Sequence, residues 1–181
     1  MTATQTTPAT APSRPYGLAV KANAWQRLLP RIIVVLAVWV PVSWFALRIL
    51  AGLTGWLTFT VLYYVTIPSI VAMLVLAWLI RGRATIVSPR AAGAWTSWLF
   101  AVFLVFAVAW PWFFGEAGQS GPLRHAPVRN WIAMTEAEAR GIGGALVYAC
   151  LAAGSLSLLA AIVEYWVARR EFYRPRDRRA R

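Results

Sequence analysis

The chain has 181 residues, of which 60% are hydrophobic and only 13% charged, with 18 Lys and Arg against 6 Asp and Glu. Soluble domains run about 45–50% apolar and about 25% charged, so this composition excludes an ordinary soluble enzyme domain and points to an all-α integral membrane protein. The net charge of +12 does not signal nucleic acid, because the basic residues flank apolar runs instead of forming one polar face.

Residues 1–30 read as an N-terminal arm, with a Thr/Ala/Pro low-complexity start and an interfacial approach through Lys21, Trp25, Arg27 and Pro30. It is not a secretory signal, since the first apolar run begins only near Arg31 and is too long for one. From Ile32 to Ile80 the only charge is Arg48, and about 20 residues suffice to cross a bilayer. Two glycines in Ala51-Gly52-Leu53-Thr54-Gly55 break the run, which predicts spans over 31–50 and 57–80. Arg81-Gly82-Arg83 ends the second span, and a polar link leads past Pro89 and Arg90 to a third span over 94–114. A loop over 115–140, a fourth span over 141–168 and a basic tail over 169–181 complete the order. Pro41, Pro68 and Pro111 fall inside spans, where each frees a carbonyl that needs a local partner.

The arm, the second connection and the tail together hold 14 of the 18 basic residues. The positive-inside rule then places both termini in the cytoplasm and the long loop outside the inner membrane. Trp25, Trp78, Trp95, Trp98 and Trp166 fall near one boundary and Trp56, Trp110, Trp112 and Trp131 near the other, as indoles prefer. Arg48 reads as a snorkelling residue at the outer headgroups. The tail suits anionic phospholipid.

Within the fourth span Ala145, Ala149, Ala153, Ser157 and Ala161 recur every four residues, the spacing at which helix backbones approach closely. Thr135-Glu136-Ala137-Glu138 has the form of a capping box, with Thr135 as N-cap and Glu138 reaching back. That starts the last helix near Glu136. Glu164, the only acid inside a predicted span, is expected to pair with Arg81 or Arg83 or with a partner chain. Cys150, the single cysteine, excludes an internal disulfide and a Cys-based metal cluster, and reads as a small packing residue. One histidine, His125, is too few for a haem or copper site built within the chain. No nucleophile has a base beside it, so no catalytic residue, metal ligand or cofactor is expected.

Arg48-Ile-Leu-Ala-Gly52-Leu-Thr-Gly55-Trp56, the stretch from Trp78 to Pro89, and His125-Ala-Pro-Val-Arg-Asn130 followed by Thr135 resemble, in order and spacing, the C subunit of the copper membrane monooxygenases. The resemblance covers residues 31–175. In that family an Asp and two His of the loop and following helix bind metal; the matching positions here are Ala133, Glu138 and Leu151. The loop between the first two spans is shorter and the family's further C-terminal helices have no counterpart. The resemblance thus implies a reduced, metal-free relative. The expected function is a non-catalytic accessory subunit packed among other membrane subunits, the alternative being a small homo-oligomeric transporter or lipid-handling protein.

Overall fold

The computed structural model describes residues 18–53, 56–115 and 126–173. The low-complexity start, Gly55, His125 and most of the basic tail lie outside them. The elements in order are β1 (Leu18–Ala19), α1 (Ala24–Leu50), α2 (Trp56–Val61), a π-helical segment (Leu62–Thr66), α3 (Ile67–Ile86), β2 (Val87–Ser88), α4 (Ala94–Ala109), two 3-10 turns (Trp110–Phe113 and Pro127–Asn130) and α5 (Glu136–Tyr173). The run from Thr58 to Ile86 is continuous, so four rods of 27, 29, 20 and 38 residues result, all long and apolar enough to cross a bilayer. At 1.5 Å per residue α5 is about 57 Å long, well beyond the roughly 30 Å hydrocarbon core.

The rods close into a ring in which α1 packs on α3 and α4, and α5 packs on α4 and α3. The core between them is apolar: Leu29, Ile33, Ala37 and Trp44 from α1, Met73, Leu76 and Ile80 from α3, Phe100 and Phe103 from α4, and Cys150 from α5. A parallel two-residue pairing, Leu18 opposite Val87, ties the chain ahead of α1 to the link after α3.

Two boundaries differ from the sequence reading. Helix α1 begins at Ala24, not near Arg31, because Asn23 and Gln26 form a reciprocal capping box: the Asn23 side chain accepts from the Gln26 amide and the Gln26 side chain from the Asn23 amide, both at 2.8 Å. Helix α3 runs through Arg81 and Arg83 to Ile86. Their guanidiniums reach backbone carbonyls, of Pro30 at 3.2 Å and of Ala91 at 2.8 Å, so neither interrupts the helix. The break after α1 falls at Gly52, whose φ of 72° only glycine adopts freely. Leu53 N donates to Arg48 O at 2.8 Å and Gly52 N to Ile49 O at 2.9 Å, the paired bonds of a Schellman cap.

Two of the prolines are accommodated by tertiary contacts. Pro30 cannot donate to Gln26 O, and the Ala92 amide, from the link before α4, takes that carbonyl at 2.8 Å. Pro111 likewise frees Ala107 O, which accepts from the Trp44 indole N–H at 2.7 Å. Pro68 is the second residue after the π-helical segment, a widened turn. Each freed carbonyl of the first two has become a contact between rods.

Candidate functional site

Helix α5 decides how the last two rods meet. Of the row at four-residue spacing, Ala153, Ser157 and Ala161 are buried, Ala149 is half-buried and Ala145 is exposed. A stride of four advances about 40° around a 3.6-residue helix, so four strides carry the row about 160° off its starting face. The buried face instead follows Ala139, Gly143, Cys150, Ala153, Ser157, Ala161 and Ala168. Gly143 admits the aromatic side chains ending the preceding rod: a Cβ there would lie 2.8 Å from Phe114 and 2.9 Å from Phe113. Gly144, one residue on, has open space around it.

The helix opens on the Thr135–Glu138 pair. Glu138 N donates to Thr135 Oγ1 at 3.2 Å, and the Glu138 carboxylate accepts from Thr135 N at 2.7 Å. Arg129 pairs with Glu136 at 3.3 Å and donates to Met134 O at 3.1 Å, so the end of the loop is fixed to the same turn. The carried-over metal positions fall apart in role: Glu138 serves this cap, Ala133 is exposed and Leu151 faces a cavity.

Glu164 does not make the expected contact with Arg81 or Arg83. Its carboxylate accepts from the Trp95 amide at 3.1 Å and the Thr96 hydroxyl at 2.6 Å, and so caps the start of α4 from the neighbouring helix. Gly93, the N-cap residue of α4, has no side chain to do this, and a Cβ there would fall on the Glu164 carboxylate. Ser157 reinforces the seam by donating to Thr96 O at 3.4 Å, and Trp25 donates to Ser97 O at 2.9 Å from the α1 side. Arg83 interacts with Glu164 only at longer range, across a cavity of about 160 Å³ that both line. The sequence expectation looked for an opposite charge; backbone and hydroxyl donors at a helix start serve an acid equally well.

Arg48 is also placed differently. It is 1% exposed, its Nε donating to Thr58 Oγ1 at 3.2 Å, so it is held inside the bundle and does not snorkel. It stands at one end of a cavity of about 300 Å³ between α3 and α5, with Phe100 and Phe103 of α4 as its floor. Cys150, Met73 and Val65, the last from the π-helical segment, complete the wall. Two tryptophans assigned to the boundary belts turn toward the bundle: Trp110 is buried edge-on against Trp44, with ring centroids 5.4 Å apart, and the half-buried Trp25 donates its N–H to Ser97 O. Trp39, midway along α1, is 67% exposed, and Trp78, Trp95, Trp98, Trp131 and Trp166 also face outward.

The cavity had no signal in the sequence, since neither a π-helical turn nor a gap between rods leaves a periodicity. Among the described residues no three His, Cys, Asp or Glu side chains converge as a metal site would require. No known protein family, curated protein or solved structure matches the chain.

Proposed function

We propose that this chain is a non-catalytic accessory subunit of a multi-subunit inner-membrane complex, of the copper membrane monooxygenase type that its short motifs resemble. Both termini lie on the cytoplasmic side, where the basic tail meets anionic phospholipid. The observation that carries the reading is the outward small-residue surface on the first half of α5. Gly141 and Gly144 have nothing within 4 Å of a would-be Cβ, and Ala145 beside them is exposed. Small residues let a second helix approach to backbone distance, and van der Waals packing of that kind is the main attraction between helices in lipid.

Purification from native membranes in mild detergent tests the proposal. The expected product is a hetero-complex that includes monooxygenase-type subunits. A stable homo-oligomer free of other subunits overturns it, and respiratory or transport subunits would keep the accessory role while removing the monooxygenase assignment.

A further inference from the structure

We propose that the cavity between α3 and α5 is a binding site for a single hydrocarbon chain of about a dozen carbons, supplied by a bilayer phospholipid or by a free fatty acid. Its walls are apolar, built from Val65, Met73, Phe100, Phe103, Cys150 and Leu158. An apolar cavity of about 150 Å³ stays dry and takes one benzene ring. This one, at about 300 Å³, is twice that size. Left empty, its walls lose their dispersion partners on one side, and in a membrane acyl chains are the apolar ligand present in excess.

The mouth faces sideways. Of the lining residues, Ala72 on α3 and Leu151 and Ser155 on α5 are exposed on the outer surface of the bundle, so a chain enters from the lipid between these two rods. Ala72 and Ser155 are small, which leaves the gap between the helices open, and Gly154 lets the Phe103 ring lie close against α5. The end of the cavity is closed by Trp44, Trp110 and the buried Arg48, and a chain's apolar tip stops there while its head group stays outside the cavity at the membrane surface. A second feature points to the same place. The π-helical turn Leu62–Thr66 contributes Val65 to the wall, and such turns, mostly single widened turns within α-helices, are frequent at functional sites. Met73 adds a flexible thioether able to follow chains of different shape.

Photo-crosslinking of the full chain tests the site. The protein is reconstituted in phosphatidylethanolamine–phosphatidylglycerol bilayers doped, in separate arms, with phosphatidylglycerol bearing a mid-chain diazirine and with a free diazirine fatty acid; adducts are mapped by mass spectrometry. In at least one arm, labelling of Phe103, Cys150 and Leu158 is expected to exceed that of the outward Leu156, Leu159 and Val163 by about tenfold. The arm that labels names the source. Ala72→Phe, at the exposed lip, is expected to cut cavity labelling about tenfold and leave labelling of Leu156 and Leu159 unchanged. Ser155→Phe closes the opposite lip and replaces that variant should it fail to fold. Uniform labelling of cavity and outward positions in both arms, or cavity labelling that survives a folded lip variant, overturns the proposal. The result is independent of which subunits co-purify.

Discussion

At the end of the bundle where α4 begins, the rods are joined by polar atoms: Glu164 on Trp95 and Thr96, Ser157 on Thr96 O, Trp25 on Ser97 O, Ala92 on Gln26 O and Arg81 on Pro30 O. At the end where α1 stops, aromatic packing dominates, with Trp44 against Trp110, Trp110 against Phe114, and the aromatic side chains at 113 and 114 over Gly143. Hydrogen bonds have short range and fixed direction, so the first end has one register. Aromatic faces tolerate sliding and imperfect filling, and the 300 Å³ cavity reaches toward that second end. The polar end fixes where the helices stand; the aromatic end leaves room between them.

The comparison breaks most visibly at Glu164. Glu164→Ala leaves the Trp95 amide and the Thr96 hydroxyl without their acceptor, and a hydrogen bond to a charged group contributes about 1.5–3 kcal/mol. A loss of about 2 kcal/mol is expected in the unfolding free energy of the detergent-purified protein. Gly93→Ala displaces the same carboxylate and should cost a similar amount alone, yet little in the Glu164→Ala background. Additive costs would show that the two residues do not act through one contact.

The two neighbouring glycines of α5 sharpen the other side of the comparison. Gly143→Leu drives a branched side chain into Phe113 and Phe114, and overpacking of this kind costs about 1–3 kcal/mol. A Cβ at Gly144 has nothing within 4 Å, and the effect of Gly144→Leu on stability should stay within about 0.5 kcal/mol. On the proposed function the order reverses for assembly: Gly144→Leu strips partner subunits from the purified complex while the chain itself stays folded. Retention of all partners by Gly144→Leu would move the docking surface off this face.

Four apolar runs separated by charges and glycines made the number and rough position of the rods legible in the sequence, since membrane length fixes how much chain each run can use. The start of α1 was hidden by Pro30, which reads as a helix stop, although Asn23-Ala-Trp-Gln26 carries the capping pattern in plain view. What makes Pro30 tolerable is the Ala92 amide, a residue from a distant link that no local rule could supply. Glu164 was visible as an intramembrane acid, but its partners were not, because an N-cap acceptor can come from another helix and Gly93 is silent about which one. The four-residue spacing of the small residues suggests one straight face; helical drift turns its first member outward and its last three inward.

Trp44 tests whether the aromatic end also depends on one directed bond. Trp44→Phe removes the N–H that takes the carbonyl freed by Pro111, and a neutral bond of this kind contributes about 1 kcal/mol. Pro111→Ala restores a backbone donor for Ala107 O. In that background Trp44→Phe should cost only the difference in ring packing, and a double-mutant cycle reads the difference as a coupling of about 1 kcal/mol. A coupling near zero would mean that Ala107 O is satisfied some other way.

The smallest expected effect lies at the exposed start of α5, where both ends' arguments fall away. Thr135→Ala removes the acceptor for Glu138 N and the reach-back partner geometry, and loss of an N-cap costs about 1 kcal/mol, toward the lower part of its range at an exposed site. The Arg129–Glu136 pair still holds the loop to the same turn, and so the loss should be confined to the first turn and its loop. Amide hydrogen exchange separates the cases: faster exchange limited to the amides of residues 136–139 fits a local cap, whereas faster exchange reaching Ala153 or Ser157 would show that this cap helps set the register of the whole α5 seam, a role the polar contacts around Glu164 otherwise hold alone.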